Sequence, residues 1–128
     1  MKRSLVVAAV TVGLTALLAA CGPSSSSYAS QACHDVLSGL RALHEYQTAS
    51  SPSAAQAALA RSVHDLRNAL PLAALAAGTN GEYQALQATL SESNRVPVSH
   101  LQSALSAQCK AILSGGAPSI PASSTTAP

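Results

Sequence analysis

An all-α domain, a small antiparallel bundle of three to four helices, is what this 128-residue sequence predicts, on three observations. Its apolar residues are mostly Ala and Leu, which lead the helix propensity scale because they lose little side-chain entropy in a helix. Strand-type runs of Val, Ile and aromatics are missing beyond the first 20 residues, and the chain has no Trp, no Phe and only Tyr28, Tyr46 and Tyr83. Between residues 30 and 113, apolar side chains recur at three- and four-residue intervals. The same composition implies a thin core, since Ala buries little area and large anchors are scarce.

The first helix is expected over about 30–48, striped by Cys33, Val36, Leu37, Leu40, Leu43 and Tyr46. Ser50-Ser51-Pro52 then breaks the chain, with Ser51 suited to an N-cap and Pro52 to the first helical position, where its missing N–H removes nothing. The second helix runs to about Ala69 with Leu59, Val63, Leu66 and Leu70 on one stripe, and Pro71 should end or kink it. Residues 72–77 can extend it by a turn or two before the stop at Gly78-Thr79-Asn80-Gly81. A third, shorter helix is expected over 82–93, striped by Tyr83, Leu86 and Leu90. After Asn94-Arg95-Val96-Pro97, Ser99 and Gln102 have the spacing of a capping box. The last helix carries Val98, Leu101, Leu105, Cys109 and Ile112 on its stripe.

Ahead of the bundle, Met1-Lys2-Arg3-Ser4 is a short basic start, and residues 5–17 form an apolar run. The run is shorter than the roughly 20 apolar residues that span a bilayer, and the two parts together read as a secretory signal. Leu18-Ala19-Ala20-Cys21-Gly22 follows directly and resembles the lipobox of bacterial lipoproteins: a Leu, two small residues and a Cys. The resemblance covers residues 1–22 only. It implies a diacylglyceryl group on the Cys21 thiol, cleavage before Cys21, and anchoring to the extracytoplasmic face of the cell membrane. Two acyl chains at about 0.8 kcal/mol per buried methylene make such an anchor firm. The expected organisation is therefore a signal peptide over 1–20, a lipidated Ser-rich tether over 21–30, a bundle over 31–114 and a Pro/Ser/Thr tail over 115–128 that lacks the apolar content to fold.

Export places the chain where disulfides persist. With Cys21 taken by lipid, Cys33 and Cys109 are left, enough for one bridge joining the first and last helices. A reactive thiol pair or a metal pair is the alternative, but neither a C-x-x-C spacing nor a basic cluster supports it. The whole chain has a formal charge of +2, and removing Lys2 and Arg3 with the signal leaves five basic residues against five acidic ones. A neutral chain with scattered charge has no electrostatic footprint for nucleic acid.

Chemistry-bearing motifs are sparse. His34-Asp35, His44-Glu45 and His64-Asp65 are adjacent pairs, and adjacent residues on a helix point about 100° apart. No His pair has the i, i+4 spacing of a helical zinc site, so solvated histidines account for them and no metal or cofactor is implied. Arg41–Glu45 and Arg61–Asp65 have the spacing of surface ion pairs. Nucleophile elbows and phosphate loops are absent, and an Ala/Leu bundle of this size leaves little room for an active site. The expectation is a non-enzyme.

One segment, Leu70-Pro71-Leu72-Ala73-Ala74-Leu75, is apolar around its whole circumference. It is either a buried helix end or a surface for a partner, with Leu70, Pro71, Leu72 and Leu75 as its candidate residues. Two functions fit this sequence. One is a membrane-anchored interaction module for another envelope protein. The other is a small carrier holding an apolar ligand, lipid or haem-like, between its helices, with a polar or axial partner such as His64. Closely packed Ala-rich helices favour the first.

Overall fold

The computed structural model describes residues 22–117, and within them all regular structure is helical. The signal-type segment 1–20, Cys21 and the tail from 118 onward lie outside the described residues. Four α-helices pack together: α1 (Ser25–Thr48), α2 (Pro52–Thr79), α3 (Gln84–Glu92) and α4 (Val98–Leu113), with one 3₁₀ turn at Gly81–Tyr83 leading into α3.

Helix α1 begins earlier than its apolar stripe implies. The tether expected to reach Ser30 is helical from Ser25, because the Ser24 hydroxyl caps the helix by accepting from the Ser27 N–H at 3.2 Å. Tyr28 packs on the core and Ala29 is fully buried, so the first turns are anchored as well as capped. Ser51 and Pro52 start α2 as expected, with Ser51 accepting from the Ala54 N–H at 3.3 Å.

Of the end or kink expected at Pro71, the end does not occur: α2 runs through it, and through the 72–77 extension, to Thr79. Proline in a helix interior leaves the carbonyl four residues earlier, here that of Arg67, without its usual donor. Both residues lie on the exposed side, where water can serve that carbonyl. The capping box expected at Ser99 and Gln102 is also not formed: α4 starts at Val98 with Pro97 as its N-cap and no side-chain cap. At its far end Gly115 takes φ 83°, and the Gly115 and Gly116 N–H groups donate to the carbonyls of Ile112 and Ala111 at 3.0 and 2.8 Å. That is a Schellman ending, and it closes the bundle where the Gly-Gly pair implied.

The core lies at one end of the molecule. Ala29, Cys33, Val36 and Leu40 of α1 meet Leu66, Ala69, Ala73 and Ala76 of α2, and Tyr83, Leu86, Leu90, Leu105, Cys109 and Ile112 complete the cluster. The Cys33–Cys109 disulfide ties the first helix to the last across 76 residues of sequence, with a Cα–Cα distance of 5.1 Å. Both cysteines are fully buried.

Helix lengths shape the rest. At 1.5 Å per residue, the 24 residues of α1 and 28 of α2 span about 36 and 42 Å, whereas the nine residues of α3 span about 14 Å. The far part of the α1–α2 hairpin, with its turn at 49–51, therefore projects beyond the four-helix region as a two-helix arm. Tyr46, expected on the buried stripe of α1, lies on this arm and is 41% exposed.

Candidate functional site: an open groove along the second helix

The groove follows from which face of α2 is buried. The stripe expected to pack inward was Leu59, Val63, Leu66 and Leu70. The face that meets α1 is instead made mostly of small residues, Ala58, Ser62, Ala69, Ala73 and Ala76, with Leu66 of the expected stripe buried among them. Gly39 of α1 explains the choice. It is buried against α2 so closely that an added Cβ would lie 3.1 Å from the Leu66 Cγ and 3.2 Å from the Ser62 carbonyl oxygen. Helices that approach this closely need small residues on both sides.

On a wheel of 100° per residue, Leu59, Val63, Leu66 and Leu70 fall within about 60° of one another, and that arc is centred roughly 90° round from the Ala face. Leu66 is buried and Leu70 packs on the core, but Leu59 and Val63 are 40% and 38% exposed. A full-length third helix would have covered them, and α3 does not reach that far.

What remains is a continuous depression in two parts that share Val63 and Arg67. The outer part is a shallow, solvent-open strip formed by Gln56, Leu59, Ala60, Val63, His64 and Arg67 of α2 alone. The inner part, about 310 Å³, lies between α2 and the α3–α4 connection, with Leu66, Leu70 and Val98 as apolar lining and Ser93 and Asn94 at its edge. His64 is exposed and shares a 3.0 Å hydrogen bond with Asn68. Arg67 is exposed and makes no ion pair or hydrogen bond among the described residues. Its neighbours at three and four positions either way are Val63, His64, Leu70 and Pro71, so no acid flanks it on the helix.

The expected charge pairs rearrange across the hairpin. Arg61 pairs with Glu45 of α1 rather than with Asp65, and Asp65 accepts a 2.7 Å hydrogen bond from the Ser38 hydroxyl. Each acid takes a partner on the facing helix, and Arg41 forms no ion pair with Glu45. The candidate surface at Leu70, Pro71, Leu72 and Leu75 divides. Leu70 and Leu72 pack against the core, whereas Pro71 is exposed and Leu75 is 50% exposed, on the far side of α2 from Leu59. These four residues do not form one surface. Only Leu70 joins the groove.

His34, His44, His64 and His100 are all exposed and dispersed, and no group of three metal-ligating side chains occurs among the described residues. Sequence reasoning missed a buried Gln108 between α3 and α4. Its Nε2 donates to the Thr89 hydroxyl at 3.0 Å, while its Oε1 has no partner. Its place beside Cys109, on the inward arc of α4, is the signal that marks it. Arg67 was missed too, and the missing i±3 and i±4 acids are the sign that sets it apart.

The chain matches no protein-family model, and neither a curated protein nor a solved structure resembles it.

Proposed function

We propose that this chain is the precursor of an exported lipoprotein, lipid-anchored through Cys21 on the outer face of the cell membrane, and that its bundle is a non-catalytic protein-interaction module. The anchor rests on the lipobox-like residues 18–22 behind a basic start and a short apolar run. The buried Cys33–Cys109 bridge supports an oxidising compartment. The observation that carries the interaction role is the groove itself: Leu59 and Val63 are left open on α2 in one row with the buried Leu66 and the core-packed Leu70. Serine, asparagine, histidine and arginine at its edge offer hydrogen bonds and positive charge, which suits recognition rather than bond-breaking. The groove is open along its length and His64 faces solvent at its edge, so a ligand carried between the helices is the weaker reading.

Two experiments test the proposal. Replacing Cys21 by Ser should release the protein from the membrane fraction or block its processing, and a variant that still sediments with membranes after a high-salt wash would remove the anchor. For the module, a photo-crosslinking amino acid is placed at position 63 and, separately, at position 103 on the exposed polar face of α4. A discrete adduct from 63 and none from 103 is expected. Equal labelling from both positions, or none from 63, would sink the interaction role.

A further inference from the structure

We propose that the occupant of the α2 groove is an amphipathic α-helix of another protein, carrying acidic residues beside its apolar stripe. The inference rests on the interaction reading above and adds the chemistry of the partner. Three features of the groove select that chemistry.

Shape comes first. The apolar floor is Leu59, Val63, Leu66 and Leu70, spaced 4, 3 and 4 residues apart. Such a row spans about 16 Å along one helix and matches the a/d seam on which a second helix packs. The groove occupies the place a longer α3 would have filled, so a helix lying there completes a bundle the chain leaves unfinished on the arm.

Charge comes second. Arg67 stands beside both halves of the groove with no acid paired to it, His64 stands at the outer part, and neither lining contains a carboxylate. A partner helix bearing Glu or Asp next to its apolar anchors supplies that missing partner, whereas a basic helix is repelled. Size comes third, and it argues against a second copy of this chain. Only Leu59 and Val63 are widely exposed on this face, far less than the roughly 800 Å² per partner of a standard stable interface, and neither lining holds a carboxylate that a facing copy of the groove could offer to Arg67. The contact is accordingly weak and exchangeable, with affinity in the micromolar range or weaker.

The test uses the oxidised protein recovered from the envelope and two fluorescent synthetic peptides of three heptads. Both carry Leu at a and d; one has Glu at the flanking positions and the other has Lys, and detergent alone serves as the blank. The Glu peptide should saturate the protein, with the Lys peptide at least tenfold weaker. Arg67→Glu should reverse that order, and Val63→Asp should weaken both peptides tenfold or more. Both positions are exposed, so the fold is expected to survive, and helicity by circular dichroism checks it. Equal binding of the two peptides, binding of neither, or an unchanged order in Arg67→Glu overturns the acidic helix. Concentration-dependent dimerisation that Val63→Asp abolishes does so too, and makes a second copy the occupant. If the order fails while crosslinking from position 63 persists, the interaction module stands and only the partner's chemistry falls.

Discussion

The two ends of the α1–α2 hairpin are built from the same pair of helices and are held by different means. At the disulfide end, four helices share one cluster, and Leu86, Leu90 and Leu105 are almost wholly buried with both cysteines. On the arm, two helices face each other through Ala42, Leu43, Ala58 and Ser62, supported by the exposed Arg61–Glu45 pair, and their larger side chains Tyr46, Leu59 and Val63 stay open. Two helices in contact can each bury only one face. The difference teaches that Tyr46, Leu59 and Val63 stay open on the arm for want of a third helix beside them rather than through a failure of patterning.

The disulfide offers the harshest way to break this contrast. Removing it by reduction, or by Cys33→Ala with Cys109→Ala, should destabilise the domain by roughly 4 kcal/mol, since the bridge closes a loop of 76 residues in the unfolded chain. Denaturant unfolding with and without reductant measures it. An unchanged midpoint would mean that the four-helix end holds without its staple.

Truncations within each region sharpen the comparison. Leu86→Ala, at a fully buried site, is expected to lose about 3 kcal/mol, whereas Leu59→Ala on the arm should lose less than about 1 kcal/mol. Thermal or urea unfolding of the two variants side by side reads the difference directly. Similar losses would show that the arm is as tightly packed as the core.

A smaller effect than that of Leu86→Ala is expected where the two regions join. Gly39→Ala should gain helix propensity of up to about 1 kcal/mol, yet its methyl would press on the Ser62 carbonyl and Leu66. The net expectation is a destabilisation of about 1 kcal/mol, checked by the same unfolding curves. A gain in stability would mean that α1 and α2 can separate slightly at their closest approach.

Much of this was legible in the chain. The stripes of α3 and α4, the stop near Gly78, the cap at Ser51 and the bridge between Cys33 and Cys109 all follow from local spacing and from counting cysteines. Three features were not. The early start of α1 was hidden because serines read as a tether until Ser24 is seen capping and Tyr28 is seen packing. Pro71 reads as a break because its tolerance depends on which side of the helix faces water. The inward face of α2 was misread because size is a poor guide when helices pack closely: Gly39 selects Ala58, Ser62 and Ala69, and the larger Leu59 and Val63 are turned aside. The groove is the result of that competition between helix faces, and periodicity within one helix does not contain it.

The long reach of the disulfide also bears on what happens when the chain is cut. The connections at residues 49–51 on the arm and 94–97 before α4 both fall between Cys33 and Cys109. A nick at either place leaves two fragments joined covalently through the buried bridge, and each retains helices that pack on the other. A clipped molecule of this kind keeps its mass on a non-reducing gel, and the start of α1 and the groove stay on one particle.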